Sequence, residues 1–219
     1  MRTIGTSLFL LMATCTFAQV DRFEAGIQIG AGSNALNGNR SLDKSDRRIA
    51  PLAGITLQYN FSERLGLRLG ADYQPKGANT DVLFTDINGN IIAQGKAHST
   101  LDYITLPLQL RFSHGGRVRL SIGAGGYAGF LLKATDTYPI DGPLHEVNTT
   151  ADLKNMDFGL SGSLGASMRL SGQLSVAIEA RYDHGLANIS ALPTVDNGGI
   201  HTSAACVLLG CTYRFGGAM

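Results

Sequence analysis

The chain has 219 residues, of which 44% are hydrophobic, 16% are charged and 28 are glycine. This composition is too apolar for a disordered chain and too rich in glycine for a helical bundle. The formal net charge is only +1, which argues against a nucleic-acid-binding protein, so we expect no nucleic-acid partner.

Residues 1–18 have the pattern of a secretory signal peptide rather than of a buried N-terminal helix. Arg2 precedes an apolar run that ends in the small-residue cleavage motif Thr16-Phe17-Ala18. A lipoprotein anchor on Cys15 is the less favoured alternative, because the preceding threonine is bulkier than the residue usually found there. We therefore predict a cleaved signal peptide at 1–18, which leaves 19–219 as the mature domain.

After residue 18, apolar and polar residues alternate with a period of two, which is typical of strands with one apolar face. Eight such segments follow one another, and no comparable helical period is present. In the fourth segment the alternation slips beside Tyr103, which predicts a β-bulge there. The segments cover residues 23–31, 53–61, 65–73, 104–112, 118–130, 156–170, 174–182 and 207–215.

Short and long connections between these segments alternate strictly along the chain. An up-and-down barrel in an outer membrane has this form, with tight periplasmic turns and long external loops. A soluble β-sandwich has no reason to sort its loops by length between its two ends. The short connections are 62–64, 113–116 and 171–172, and the long ones are about 33–48, 76–99, 133–154 and 185–201.

Small residues on the polar face distinguish a membrane barrel from a soluble one. Charged residues lie on the face opposite the large apolar residues. This fits a soluble lipocalin-like barrel, whose apolar face points inward, and equally a membrane barrel, whose apolar face points outward to lipid. Glycines on the polar face leave room for long charged side chains in a narrow lumen, whereas they would only weaken a water-facing strand. Aromatic residues near the segment ends fit interfacial girdles. These glycines are Gly26, Gly30, Gly54, Gly66, Gly70, Gly123, Gly125, Gly159 and Gly165.

We therefore predict an all-β fold, an eight-stranded antiparallel up-and-down transmembrane β-barrel with four long external loops. Its surroundings are the lipid bilayer of the outer membrane of a Gram-negative bacterium. A wide porin is excluded, because about 16 strands with their loops do not fit in the chain.

Charged residues on the polar face are expected to form a structural network in the lumen. An eight-stranded barrel is just wide enough for its own side chains to fill it, and buried charges must be paired. A gated ion path through the same charges stays the alternative. The network is predicted to comprise Glu24, Arg68, Asp72, Glu179, Arg181 and Asp183.

No motif indicates catalysis, a cofactor or a metal. The run Gly123–Ala128 imitates a dinucleotide-binding G-x-G-x-x-A, but its glycines lie inside a strand and no helix follows. The five histidines share no metal-ligand spacing with a cysteine or a carboxylate pair. Cys206 and Cys211 lie on opposite faces of one strand and cannot bond to each other within it. We therefore expect no cofactor and no enzymatic activity, with a membrane-embedded enzyme as the least favoured alternative.

Several strand-building segments resemble those of a known family. They are Leu101–Leu108, Ser121–Gly125, Asp157–Leu160, Ala180–Leu186 and the terminal Tyr213-Arg214-Phe215. On these segments the chain resembles the PorT-like family of small outer-membrane β-barrel proteins. The resemblance implies that Phe215 ends a signal for the barrel-assembly machinery, and it raises a link to protein secretion, in which some members take part.

The functional prediction is a small barrel with a side-chain-filled lumen. It serves the envelope or presents its external loops to an unidentified protein partner, with a narrow gated channel as the alternative.

Overall fold

The computed structural model describes residues 22–39, 42, 45–85, 87–89, 91–139, 144–193 and 198–215. The predicted signal peptide at 1–18, including Cys15, lies outside the described residues and stays a prediction. No helix within the described ranges is long and apolar enough to cross a membrane.

Nine β-strands make up most of this part of the chain. They are β1 (Phe23–Asn37), β2 (Asp46–Asn60), β3 (Leu65–Thr85), β4 (Ile91–Gly115), β5 (Val118–Pro139), β6 (Leu144–Asn148), β7 (Met156–Arg169), β8 (Leu174–Gly185) and β9 (His201–Phe215). A single turn of 3-10 helix, Thr150–Asp152, precedes β7.

Eight of the strands close into a ring in which every neighbouring pair is antiparallel. The ring closes where β1 meets β9, in a continuous register that runs from Phe23 opposite Phe215 to Asn37 opposite His201. Closure satisfies the backbone N–H and C=O groups that an open sheet edge would expose to hydrocarbon. The predicted eight-stranded antiparallel barrel is confirmed. The short strand β6, which the sequence pattern did not reveal, lies outside the ring and pairs with the far end of β5.

The two ends of the barrel differ in their connections. At one end, called the inner end, lie the tight turns at 61–64, 116–117 and 170–173, together with the first residue of β1 and the last residue of β9. At the other, called the outer end, lie the long strand extensions and the larger connections. In outer-membrane barrels the tight turns face the periplasm, so we expect the inner end to be the periplasmic one.

The predicted long loops are partly wrong, because much of 33–48, 76–99 and 133–154 is strand. β3 has 21 residues and β4 has 25, whereas a transmembrane strand needs about 9–11. Their outer ends pair with each other up to Thr85 opposite Ile91, with a register shift after Phe84. A strand in water can be polar on both faces, so the alternation that marks the membrane-spanning part disappears in the extension.

The outward face of the ring is apolar and the inward face is polar. Ile27, Leu120 and Leu164 are 62–65% exposed on the outside, while the inward neighbours Gln28 and Ser163 are 3% and 6% exposed. This is the reverse of a soluble barrel and fits contact with hydrocarbon. The bulge predicted beside Tyr103 is confirmed by a register shift between Asp102 and Tyr103.

Aromatic side chains gather at the inner end. The Phe23 and Tyr59 rings lie 5.0 Å apart, the Tyr59 and Phe61 rings 5.2 Å, and the Tyr213 and Phe215 rings 5.3 Å, measured between centroids. Aromatic side chains at this level fit a girdle at the lipid headgroups.

The orientation of the two faces is tested by Leu164→Lys, with Leu164→Ala as the matched control. The lysine places a charge on the hydrocarbon face near the middle of β7 and should cost about 2–4 kcal/mol, more than the alanine. Each variant is refolded into lipid vesicles at a series of urea concentrations. The folded fraction at each concentration is read from the band that changes its gel mobility on heating. Equal midpoints for the two variants would contradict the assigned faces.

Candidate functional site: the luminal polar network

Arg181, on β8, is the centre of a buried cluster in the middle of the lumen. Its Nη1 donates to Asp72 Oδ2 at 2.7 Å and its Nε donates to Asp183 Oδ2 at 3.1 Å. The other carboxylate oxygens are also bonded: Gln28 Nε2 donates to Asp72 Oδ1 at 2.6 Å, and Ser161 Oγ donates to Asp183 Oδ1 at 2.5 Å. The three charged side chains are at most 2% exposed. Bulk water therefore does not reach this level of the lumen.

Glu179 lies two residues earlier on β8 and takes its partners from across the barrel. Arg68 Nη1 donates to Glu179 Oε2 at 2.6 Å, and Arg111 Nη2 donates to the same oxygen. Arg68 Nη2 also donates to Gln28 Oε1 at 2.8 Å, and Arg111 Nη2 donates to Ser121 Oγ at 2.9 Å. Because Gln28 also bonds Asp72, it joins the Glu179 and Arg181 clusters into one network.

The predicted luminal residue Glu24 lies apart from this network, near the inner end. Its Oε1 accepts hydrogen bonds from Arg214 Nε at 2.9 Å and from Asn60 Nδ2 at 3.0 Å. The structure thus places five of the six predicted residues in one connected network, with Arg111 as an added member, and Glu24 in a separate pair.

A second buried ion pair, closer to the outer end, was missed from the sequence. Lys76 Nζ donates to Asp157 Oδ2 at 2.8 Å and to Thr202 Oγ1 at 3.2 Å. Tyr127 OH donates to the same Asp157 oxygen at 3.1 Å. The ammonium also lies 4.4 Å and 5.1 Å from the ring centroids of Tyr127 and Tyr103. With exposures of 1% and 0% for Lys76 and Asp157, this is among the most deeply buried ion pairs in the described chain.

Lys76 was missed because it stands between Pro75 and Gly77, a combination that indicates a loop. The signal that could have found it is the spacing of Asp72, Gln74 and Lys76, which share the inward face of β3 at successive i, i+2 positions.

Above this pair the lumen is closed by an apolar cluster, called the apolar plug. Ile189 is fully buried and comes from the connection between β8 and β9, which was predicted to be an external loop. Ile189 N donates to the Ile200 carbonyl at 2.9 Å, and Lys154 N donates to the Ile189 carbonyl at 2.7 Å, so the backbone fixes this segment over the lumen. The plug comprises Leu36, Ala78, Leu101, Tyr103, Ala134, Ala187 and Ile189.

Glycine makes room for the carboxylates. A Cβ at Gly54 would lie 2.0 Å from Asp72 Oδ1 and 2.5 Å from the Ala71 carbonyl oxygen, so only glycine fits beside the Arg181 cluster. The sequence-based interpretation of polar-face glycines holds at this position for a direct steric reason.

The luminal groups are arranged to neutralise one another. Within the described part of the chain, no group of three or more His, Cys, Asp or Glu residues could hold a metal ion. Cys206 faces the lumen and is buried, and both it and Cys211 are free thiols.

Comparison with known families agrees with the fold and the faces of the barrel. The model of the family described as outer membrane protein beta-barrel domain matches residues 17–191, and the chain belongs to this family. The protein is located in the outer membrane of a Gram-negative bacterium. A comparison with curated protein sequences gives no match.

Solved structures that resemble the chain include outer-membrane proteins of several bacteria. The outer membrane protease OmpT from Escherichia coli is 11% identical, with 90% of this chain and 97% of that chain covered and a TM-score of 0.50. OprG from Pseudomonas aeruginosa is 15% identical, with 90% and 98% covered and a TM-score of 0.47. Ail of Yersinia pestis, solved in complex with the heparin analogue sucrose octasulfate, is 14% identical, with 89% and 99% covered and a TM-score of 0.43. At such identities the likeness shows the fold alone.

The sequence-based prediction that the protein is not an enzyme is wrong, because its grounds do not exclude catalysis. It rested on the absence of catalytic motifs from the sequence, and the similar structures include a protease. Proteins that share a barrel fold can have unrelated activities, so the fold does not exclude catalysis.

The energetic role of the buried pair is tested by Lys76→Met, Asp157→Asn and the double variant. Each single change leaves a buried charge without its partner and should cost about 3–5 kcal/mol, while the double change should cost less than their sum. Urea unfolding of the refolded protein, followed by tyrosine fluorescence, measures these free energies.

The control is Lys96→Met, which removes an exposed ion pair with Asp46 at 2.7 Å. That pair raises the pKa of Lys96, through a hydrogen bond and the charge of Asp46, but both side chains are in water and no measurable loss of stability is expected. If the losses in unfolding free energy of the Lys76→Met and Asp157→Asn variants add up in the double variant, the two side chains do not interact directly.

Proposed function

We propose that this outer-membrane barrel is a closed, non-conducting platform that presents its outer end to a protein partner. The observation that carries the proposal is the filled lumen: two levels of buried, paired charges lie below the apolar plug. Because Asp72, Asp157 and Asp183 are all 0% exposed, no hydrated path connects the two ends through them. Interactions are then left to the two ends of the barrel.

The outer end carries a protruding hairpin formed by β3 and β4. β3 is about ten residues longer than a strand needs to be to cross the membrane, which corresponds to roughly 30 Å of additional strand. Its end, called the hairpin tip, consists of Leu83, Ile87 and Ile91, which are 63%, 102% and 61% exposed. Large apolar side chains grouped in water beyond the membrane are typical of a protein-binding surface.

Neighbouring elements support the hairpin at its base. β4 stays paired with β5 as far out as His98 opposite Thr137, and Lys96 forms the ion pair with Asp46 at the start of β2. The hairpin tip is therefore carried on a paired sheet rather than on an irregular loop, which keeps the entropy cost of binding small.

We further propose that the chain is a PorT-like member of its family, with a signal peptide at 1–18 and a barrel domain over 19–219. The strand-building segments Leu101–Leu108 and Ala180–Leu186 support the relationship. In this proposal the partner at the hairpin tip belongs to protein secretion, as for some PorT-like proteins. The outward-facing Phe215 at the end of β9, 42% exposed, supports recognition of that strand by the barrel-assembly machinery.

A closed lumen predicts that the refolded protein carries no stepwise ion current in planar bilayers. The comparison variant is the double change Lys76→Ala/Asp157→Ala, which removes the buried pair and its side-chain volume from the lumen. Any change in the current of this variant should be an increase. Regular conductance steps from the unmodified protein would contradict the proposal and favour a gated channel instead.

The hairpin tip is tested by site-specific photocrosslinking on intact cells. A photoreactive residue at position 87 should give a discrete crosslinked protein, and Leu83→Ser with Ile91→Ser should reduce its yield severalfold. The control places the same photoreactive residue at position 192, where Leu192 is 56% exposed in a different connection. Equal products from positions 87 and 192 would show that the tip is not a specific binding surface.

A further inference from the structure

The inner end of the barrel opens into a polar concavity, called the inner vestibule, which the luminal network does not neutralise. Its lining contains seven arginines and three glutamates, and without Arg68, Arg111 and Glu179, which belong to the neutral luminal network, the net charge is +3. A concave site with one predominant sign of charge focuses the electrostatic field and concentrates ions of opposite sign. The charged lining residues are Glu24, Glu63, Arg64, Arg68, Arg111, Arg117, Arg119, Arg169, Glu179 and Arg214.

The ion pairs of the vestibule leave the excess on a defined set of arginines. Arg68 and Arg111 share the single carboxylate of Glu179, and Arg214 pairs with Glu24. Within the described residues the other four arginines, at positions 64, 117, 119 and 169, form no ion pair. The positive charge is therefore concentrated toward the mouth.

Strand register directs two of these arginines into the barrel rather than toward lipid. Arg119 on β5 is opposite Ser167, and Arg169 on β7 is opposite Ser175, on the face that lines the vestibule. Arg119 donates through Nη2 to the Glu63 carbonyl, but its Nε is buried and has no hydrogen-bond partner among the described residues. A charged donor is thus held in the wall without an acceptor.

Hydroxyl donors surround the arginines. They come from Thr56, Ser113, Ser167, Ser175 and Thr212. Guanidinium and hydroxyl groups together match an anion with several oxygen acceptors, and arginine binds phosphate-type oxygens by paired, charge-assisted hydrogen bonds.

We propose that the inner vestibule binds a small tetrahedral oxyanion of the phosphate type, taken up from the periplasmic side. The deeper lining, which includes Arg119, is reached through the mouth and not through the barrel wall, which favours a soluble anion over a lipid headgroup. The interior of an eight-stranded barrel is only wide enough for side chains, which favours a small ion over a folded acidic partner.

The test uses the full mature chain refolded in a phosphate-free maltoside detergent. Inorganic phosphate is titrated at constant ionic strength, adjusted with chloride, and binding is measured by calorimetry. We expect saturable binding of one phosphate. Arg169→Gln should weaken its affinity about tenfold, and Arg117→Gln should weaken it by a similar or smaller factor, because each variant removes one charged donor.

The matched control is Arg47→Gln, which removes an exposed arginine at the opposite end of the barrel and should leave the affinity unchanged. Arg117 and Arg169 are both exposed and unpaired in the described structure, so their variants should fold, and heat-dependent gel mobility verifies this for each sample.

Three outcomes would overturn the proposal. The first is the absence of saturable phosphate binding to the folded protein. The second is equal affinity for phosphate in the Arg169→Gln, Arg47→Gln and unmodified proteins. The third is binding of a glutamate hexapeptide under conditions where phosphate does not bind, which would assign the vestibule to an acidic peptide instead.

Discussion

A strand that crosses hydrocarbon cannot leave its backbone N–H and C=O groups without hydrogen-bond partners, and this constraint shapes the whole molecule. It requires the sheet to close, and β1 and β9 meet this requirement with fifteen consecutive residue pairs, from Phe23 to Asn37 on β1. Closure with only eight strands fixes a narrow interior. The narrow interior then determines which side chains fit, which charges must pair and where the protein can interact with other molecules.

Most charges in this interior are paired across the barrel, and the pair of Arg181 with Asp183 on β8 is the exception among the described ion pairs of the network. Glu179 and Arg181 are neighbours on the same face of β8, yet Glu179 bonds arginines from β3 and β4, while Arg181 bonds Asp72 from β3. A buried ion pair does not by itself stabilise a fold more than apolar packing would. Its consequence here is that charges from β3, β4 and β8 meet at one level of the lumen and are paired there.

The two ends of the barrel have opposite characters. Toward the outer end the lumen becomes apolar, and the connection that carries Ile189 covers it. Toward the inner end it becomes polar and cationic, and the arginines exceed the glutamates. The barrel thus carries an apolar hairpin tip at one end and a cationic concavity at the other.

The sequence by itself determined the barrel, its strand number, its lipid-facing side and the bulge beside Tyr103, because alternation and loop length are local properties. It also identified Arg68, Asp72, Glu179, Arg181 and Asp183 as luminal, since inward positions recur at i, i+2. It did not reveal the Lys76–Asp157 pair, whose members are 81 residues apart, or the inward course of the chain at Ile189. Only the tertiary structure decided those features, because ring closure and strand stagger bring distant residues to the same level of the lumen, and no local pattern records that stagger.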